Sequence, residues 1–315
     1  PAGGGPSWGG QASELVRRLY LYFGDRRAVA GAYVTLKKYI DHLECNTTND
    51  VLVYFNPYKP GEYMEWYFLG DWAPPGASGD KHGFVFETPE EREFFNNCYR
   101  VLLWDQLAGY AEVLGDKAEA NRCNDRLAVL RPLIHKRYYD AGKQTYQVNR
   151  QAYLTIALLA RVVPPELRAD IFKQLVDDIV VAKKGHLDVG LQGSFMLLDL
   201  LTRENRPDLV ALMMNQTTFP GWGYLINERH VTSWPETWSG WGSQIIQVVA
   251  TPGAWFYEGL AGIQPDPQQP GFQRFILRPG MVDCVEWVKC SYNSPYGRIV
   301  SNWKREGDKV SMDVT

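Results

Sequence analysis

The pattern of apolar and polar positions predicts pairs of helices along most of the chain. The first pair is residues 11–23 and a following helix, with Gly24 as the stop and Asp25 as the N-cap between them. In the following helix the apolar side chains recur at helical spacing, namely Val29, Tyr33, Leu36 and Ile40. The same punctuation returns at Gly115 and Asp116, so the helical hairpin is a repeating unit.

Further helices are predicted across residues 149–162, 165–182, 191–203, 207–215 and 243–261, which gives eight or nine in all. Long loops separate some of the helices, and residues 45–90 form the longest. Helix pairs joined by long loops are more typical of an α/α toroid than of a four-helix bundle. Because a closed toroid of this kind has twelve helices, we expect an incomplete (α/α)6 toroid over residues 1–262.

The pattern changes after residues 263–272, a proline-rich stretch that is predicted to be a linker. Beyond it, alternating positions predict short strands, at 275–277, 285–289, 299–303 and 310–314, with a hairpin turn at 293–297. The predicted fold class is therefore mainly α, an apparently incomplete toroid followed by a short antiparallel β region at 273–315.

Composition and charge exclude several classes of protein. The 315 residues are 45% hydrophobic and 22% charged with a net charge of −3, and they contain no apolar run long enough for a membrane span. Acids are scattered among the basic residues, so neither nucleic acid nor a membrane is an expected partner. The five cysteines have no metal-ligand or disulfide spacing, and no cofactor is expected. The compartment stays open, with a periplasmic or secreted location favoured.

Tryptophan is the unusual component, because 11 occur in 315 residues. Seven of them lie in Gly- and Pro-rich stretches: Trp8, Trp66, Trp72, Trp222, Trp234, Trp238 and Trp241. Indole faces on loops beside carboxylates are typical of a sugar-binding surface, whereas Trp104 and Trp255 fall within helical patterns and are expected in the core.

Two carboxylates stand among these loop tryptophans. Glu236 lies between Trp234 and Trp238, where apolar walls are expected to raise its pKa and suit it to acid–base chemistry. The alternative is that Glu236 caps a neighbouring helix. Asp71 precedes Trp72 and could bind sugar hydroxyls, or it could form an N-cap or Asx turn ahead of two prolines.

Several motifs together resemble the α-L-rhamnosidases of glycoside hydrolase family 78. Gly221-Trp222-Gly223-Tyr224 followed by Thr232-Ser233-Trp234-Pro235-Glu236-Thr237-Trp238 looks like the W-G-Y turn and the T-T-x-W-E-R-W signature of that family. Other landmarks occur in the same order, namely Pro6-Ser7-Trp8-Gly9, Gly70-Asp71-Trp72, the stretch 186–195, Leu260-Ala261-Gly262-Ile263 and Ser291-Tyr292-Asn293. The resemblance covers nearly the whole chain.

This resemblance implies an (α/α)6 barrel followed by a β-sandwich, and inverting hydrolysis of terminal α-L-rhamnosides by two separated carboxylates. Glu236 would be the general base. The sugar would be held by Trp8, Asp71, Trp72, Asn96, Trp222, Trp234 and Trp238. The expected partners are a rhamnose-containing oligosaccharide or polysaccharide and the remaining N-terminal part of the same enzyme.

The chain departs from the family pattern at three places. Nothing in it resembles the Asp- and Arg-rich motif that carries the general acid, so this chain by itself is expected to lack that acid. Gly10 stands where the family commonly has Asp, and Ile245-Ile246 stands where it usually has Asn-His. Strict rhamnose specificity is therefore not implied.

Three alternatives remain open on these departures. The chain could hydrolyse another deoxy or uronic sugar, since one fold hosts many activities. It could belong to a polysaccharide lyase, for which Tyr224, Arg229 and His230 are the candidate residues. It could also be a non-catalytic, carbohydrate-binding pseudoenzyme.

Overall fold

The computed structural model describes residues 5–54, 67–76, 85–246 and 250–315. Within them lie eleven α-helices: α1 Pro6–Gly9, α2 Gln11–Phe23, α3 Arg26–Glu44, α4 Pro89–Leu114, α5 Lys117–Tyr138, α6 Gln151–Leu159, α7 Arg168–Asp177, α8 Leu191–Arg203, α9 Pro207–Met214, α10 Trp222–Asn227 and α11 Pro252–Trp255. A 3-10 turn, Pro165–Leu167, precedes α7, and π-helical turns extend α7 and α11 over Asp178–Ala182 and Phe256–Leu260.

The glycine and aspartate punctuation between paired helices is confirmed. Gly24 ends α2 with φ 67° and Gly115 ends α4 with φ 83°, both in the left-handed region that a residue without Cβ adopts readily. Asp25 then accepts a hydrogen bond from the N–H of Arg27 at 2.9 Å. Asp116 accepts one from the N–H of Glu119 at 3.1 Å. Each connection therefore reverses the chain within two residues.

The helices form an inner and an outer layer. Helices α4, α6 and α8 are buried on several faces, whereas α3, α5 and α7 bury a single stripe and expose the rest. Helix α4 packs against α3, α5 and α6, and α6 packs against α7 and α8. This alternation is the arrangement expected of an α/α toroid. One face of α2 is exposed among the described residues, since Leu15 is 61% exposed and Leu19 is 39% exposed.

Helix α4 begins with a capping box. The Thr88 hydroxyl accepts from the N–H of Glu91 at 3.2 Å, and the Glu91 carboxylate accepts from the N–H of Thr88 at 2.7 Å. We expect Thr88→Ala to lower the free energy of unfolding by about 1 kcal/mol, because it leaves a helix N–H without its acceptor. Urea denaturation measures this, and Thr88→Ser, which keeps the hydroxyl, is the control. Equal stability of the alanine and serine variants would contradict the prediction.

The strands within the described residues pair in antiparallel fashion. Two hairpins lie among the helices, β1 Thr47–Thr48 with β2 Val51–Leu52 and β3 Tyr139–Asp140 with β4 Thr145–Tyr146. At the C-terminal end β5 Ile263–Pro265 pairs with β6 Phe275–Leu277, and a second sheet has the order β7 Trp287–Ser294, β8 Gly297–Glu306, β9 Lys309–Val314. The hydroxyl of Ser301 donates to the carbonyl of Ala261 at 2.7 Å, which ties this sheet to the helical region.

Several predicted boundaries need correction. Residues 263–265, assigned to the linker, form a strand because their backbone pairs with β6. The predicted helix over 243–261 is wrong at its start, because residues 243–246 are not helical; α11 begins at Pro252, and residues 247–249 lie outside the described residues. The strand predicted at 285–289 is shifted to Trp287–Ser294, since it pairs residue by residue with β8. Strand β6 lies where it was predicted.

Candidate functional site

The segments that precede the inner helices meet at one end of the helical layers. The hydroxyl of Ser7, just before α2, lies 3.4 Å from the carbonyl of Gly70 in the segment before α4. The carbonyl of Trp72 accepts from the N–H of Leu191, the first residue of α8, at 2.9 Å. The segment around Trp72 also meets the segment that carries Glu236, because the Trp72 indole Nε1 donates to the Glu236 carboxylate at 2.9 Å.

Glu236 lies on a hairpin-like turn in which Ser243 binds both its backbone N–H and its side chain. Its N–H donates to the carbonyl of Ser243 at 2.8 Å, and the N–H of Ser243 donates back to the Glu236 carboxylate at 3.0 Å. Gly242, with φ 93°, lets the two sides of this turn lie close to each other, since a Cβ there would lie 2.8 Å from Glu236 Oε2. One carboxylate oxygen therefore faces Trp72 and the other faces Ser243.

The pKa of Glu236 is lower than that of an ordinary glutamate. Partial burial of the carboxylate raises the pKa, but the N–H of Ser243 and the indole of Trp72 stabilise the charged form and outweigh burial. The expected upward shift toward neutrality is therefore wrong, because the loop supplies two hydrogen-bond donors as well as apolar walls. Glu236 is an ionised, half-buried carboxylate, which is the state that a general base needs.

The Asp71 side chain is directed into the protein, toward the N-terminus of α8. It is fully buried and accepts from the N–H of Gly190 at 2.6 Å and from the N–H of Gly193, both at the N-terminus of α8. Burial and the nearby Glu87 carboxylate raise the pKa of Asp71 well above its usual range, against the lowering effect of the two N–H donors. A fully buried carboxylate cannot contact a sugar in this conformation, so Asp71 caps α8 from a distant segment.

A second buried carboxylate, Glu87, supports the same segment from the other side. It accepts from the N–H of Gly70 at 3.1 Å and from the N–H of Asp71 at 2.9 Å. The hydroxyl of Tyr153 on α6 also donates to it, at 2.5 Å. Burial raises the pKa of Glu87, partly offset by these donors. The sequence carried no signal for Glu87 or Tyr153, because neither lies beside a recognisable motif.

The tryptophans of the site fall into two groups. Trp72, Trp222 and Trp238 are buried, and the rings of Trp222 and Trp238 meet edge to face with centroids 5.3 Å apart. Trp8 and Trp234 are half-buried and keep part of their indole surface accessible. Trp66 lies outside the described residues. Trp241, on the same loop as Trp234, is 47% exposed. Within the part of the chain that the structure describes, Trp8, Trp234 and Trp241 therefore offer indole surface to a ligand.

Asn96 on α4 is a structural link in this conformation. Its side chain is fully buried, and its amide donates to the carbonyl of Leu69 at 3.1 Å, next to the Gly70-Asp71 segment. The lyase candidates are not gathered beside Glu236 by any hydrogen bond in the described residues. Tyr224 lies on α10, whereas Arg229 and His230 follow it and are exposed.

The segment before α8 is held by an ion-pair cluster that the sequence analysis missed. Asp188 accepts from Arg150 at 2.8 Å and pairs with Lys183 at 3.0 Å, and Arg150 also reaches Glu91. The amide oxygen of Gln151 accepts from the N–H of Asp188 at 2.8 Å. These contacts fix the chain immediately ahead of Gly190, where Asp71 binds.

The described residues were also compared with what disulfides, metal sites and membrane spans require. The five cysteines are free, and no cluster of His, Cys, Asp and Glu side chains in the described ranges is arranged to hold a metal ion. None of the described helices is both long and apolar enough to cross a membrane.

The layered helical hairpins, with a carboxylate and tryptophans on the loops at one end, define a domain of the six-hairpin glycosidase class. The family model described as bacterial alpha-L-rhamnosidase 6 hairpin glycosidase domain matches residues 1–260, and the bacterial alpha-L-rhamnosidase C-terminal domain matches residues 262–315. The chain belongs to the bacterial α-L-rhamnosidase family.

Individual relatives agree with this assignment. Curated α-L-rhamnosidases of Alteromonas sp. (strain LOR) and Formosa agariphila are 24% and 25% identical over 98% of this chain, which covers 33% and 32% of their lengths. The solved α-L-rhamnosidase from Dictyoglumus thermophilum matches with a TM-score of 0.84 at 24% identity, over 99% of this chain and 33% of that one. A Streptomyces avermitilis α-L-rhamnosidase complexed with L-rhamnose matches with a TM-score of 0.80 at 23% identity, over 98% of this chain and 28% of that one.

The predicted fold class is confirmed as a helical toroid followed by a short antiparallel β region. The chain spans about a third of the length of the relatives that it matches.

Proposed function

We propose that the protein containing this chain is an inverting glycoside hydrolase that releases terminal α-L-rhamnose, with Glu236 as its general base. The observation that carries the proposal is the state of Glu236, a half-buried carboxylate with a lowered pKa between two N–H donors. A base that activates water must be unprotonated and held in one orientation, and both conditions are met here. The relatives named α-L-rhamnosidase supply the substrate class.

The inverting mechanism needs a second carboxyl group, as general acid, roughly 6.5–9.5 Å from the base. Asp71 does not fit that role, because its carboxylate is fully buried and engaged with α8. Since residues 1–315 contain no segment like the family's Asp- and Arg-rich acid motif, we assign the acid to another part of the same protein. That part is also the partner that this chain requires for activity.

The sugar contacts are divided by exposure. Trp8 and Trp234 are half-buried and would stack on the apolar C–H faces of the pyranose. Trp72, Trp222, Trp238 and Asn96 are buried, so they would shape the pocket from behind rather than contact much of the ligand.

The stereochemistry of the product tests the proposal. With a 4-nitrophenyl α-L-rhamnoside as substrate, we expect β-L-rhamnose to appear first by proton NMR and then to convert to the equilibrium mixture. Initial release of the α-anomer would contradict inversion. With a uronic-acid-containing polysaccharide as substrate, an unsaturated product absorbing near ~235 nm would identify a lyase, and binding of L-rhamnose without turnover would identify a pseudoenzyme.

A further inference from the structure

The backbone at Trp72 adopts an unusual conformation. Trp72 has φ 22° and Ala73 has φ 61°, values in the left-handed region that residues with a Cβ rarely adopt. Two consecutive non-glycine residues stay in such a conformation only when the surrounding structure holds them there. The indole on this strained segment is the one that donates to Glu236.

The restraint comes from the N-terminus of α8. The N–H groups of Gly190 and Gly193 bind the carboxylate of Asp71, and the N–H of Leu191 binds the carbonyl of Trp72 at 2.9 Å. These donors have no partner within their own helix, and the positive end of the helix dipole favours a carboxylate there. Three contacts therefore clamp two consecutive residues to one helix end.

Close approach requires glycine at both clamp positions. A Cβ at Gly190 would lie 1.9 Å from the carbonyl oxygen of Asp71, and a Cβ at Gly193 would lie 2.8 Å from its carboxylate. The same helix end also holds the loop that carries Glu236, since the Trp238 indole donates to the carbonyl of Val189 at 2.7 Å. The segments that carry Trp72 and Glu236 are therefore both hydrogen-bonded to residues 189–193.

We infer that Asp71 is a positioning residue: by binding the N-terminus of α8 it places the Trp72 indole so that this indole donates to Glu236 and holds its carboxylate in one orientation. The inference rests on the proposed function of Glu236 as a base. It differs from sugar binding by Asp71, because the carboxylate acts through Trp72 and not through the ligand.

The test uses the whole protein that contains this chain, with the substitution Asp71→Asn. The asparagine amide has a single acceptor oxygen for the two N–H groups and turns an N–H₂ toward one of them, so the clamp should loosen. The ¹⁵N–¹H signal of the Trp72 indole, assigned by its loss in Trp72→Phe, reports the titration of Glu236. We expect its midpoint to rise by about half a pH unit or more, and kcat/KM below that midpoint to fall about threefold.

Two further variants keep the test decisive. Asp266→Asn makes the same change at a buried aspartate of the β5–β6 connection, and it should leave the indole titration unchanged. If Asp71→Asn does not fold, Gly193→Ala gives the same readout, because its Cβ would displace the Asp71 carboxylate. A wild-type indole titration in a folded Asp71→Asn or Gly193→Ala variant overturns the inference.

The outcome is separable from that of the proposed function. If the indole midpoint moves as expected but Glu236→Gln leaves hydrolysis unchanged, then Asp71 positions Trp72 and Glu236 is not the base. If Glu236→Gln abolishes hydrolysis while the midpoint stays fixed in the Asp71 variant, the positioning role is rejected and the base assignment is retained.

Discussion

Glu236→Gln is expected to reduce kcat for an α-L-rhamnoside by roughly 10²–10⁴-fold in the protein that contains this chain, while L-rhamnose binding changes little. Glutamine keeps the shape of the side chain and can still accept the Trp72 indole hydrogen bond through its amide oxygen. It cannot take a proton from water at any accessible pH. The loss should therefore appear in kcat and not in ligand affinity.

Steady-state kinetics and calorimetric titration with L-rhamnose measure the two effects separately. Glu228→Gln is the matched control, because Glu228 is an exposed glutamate at the end of α10 in the same stretch of chain. It should retain wild-type kinetics. Wild-type turnover by Glu236→Gln with an unchanged KM would place the base at another residue.

The helical hairpins could be predicted because their signals are local. A glycine that adopts positive φ and an aspartate that caps the next helix stand side by side at Gly24-Asp25 and Gly115-Asp116. The residue that ends one helix and the residue that caps the next are adjacent, so no tertiary information is needed to predict the connection. The layering of inner and outer helices follows from how many faces of each helix are apolar.

The segment after Glu236 could not be predicted in the same way. Residues 243–246 have apolar spacing that fits a helix, but Ser243 binds Glu236 and the N–H of Ile246 donates to the carbonyl of Trp234 at 3.0 Å. Ile245 is 83% exposed as a result. The turn that fixes the catalytic candidate therefore prevails over helix propensity, and periodicity alone does not report such competition.

The role of Asp71 was hidden for a related reason. Its position beside Trp72 suggested sugar binding, but its acceptor atoms serve Gly190, 119 residues further along the chain. The alternative drawn from the sequence was a local N-cap or Asx turn ahead of two prolines, whereas Asp71 binds the N-terminus of α8, far along the chain. The pKa of Glu236 was misjudged likewise, since the two N–H donors that lower it come from Trp72 and Ser243 only after folding.

Trp72→Phe should raise the pKa of Glu236, because phenylalanine fills much of the same space but donates no hydrogen bond. Hydrogen bonds to charged groups contribute about 1.5–3 kcal/mol, and about 1.4 kcal/mol corresponds to one pKa unit, so we expect a rise of about one unit. A general base works only when ionised. The acidic limb of the kcat/KM profile should therefore move up by about one pH unit.

Below that limb the variant should lose about tenfold in kcat/KM, and well above it the rate should approach that of the wild type.

The same hydrogen bond also affects how the free energy of unfolding depends on pH. The folded pKa of Glu236 is lowered, so its contribution to stability is present above the unfolded pKa and is lost as pH falls through the folded value. Trp72→Phe removes part of that contribution near neutral pH and removes nothing once Glu236 is protonated in both states.

Trp104→Phe is the matched control for this experiment, because the Trp104 indole also donates to a glutamate, Glu44, at 2.9 Å and is 2% exposed. It should cost stability but leave the pH profile of kcat/KM in place. A wild-type acidic limb in Trp72→Phe would mean that Ser243 alone keeps Glu236 ionised. An equal shift in both variants would mean that the limb reports loosening of the fold, since Trp104 has no hydrogen bond to Glu236.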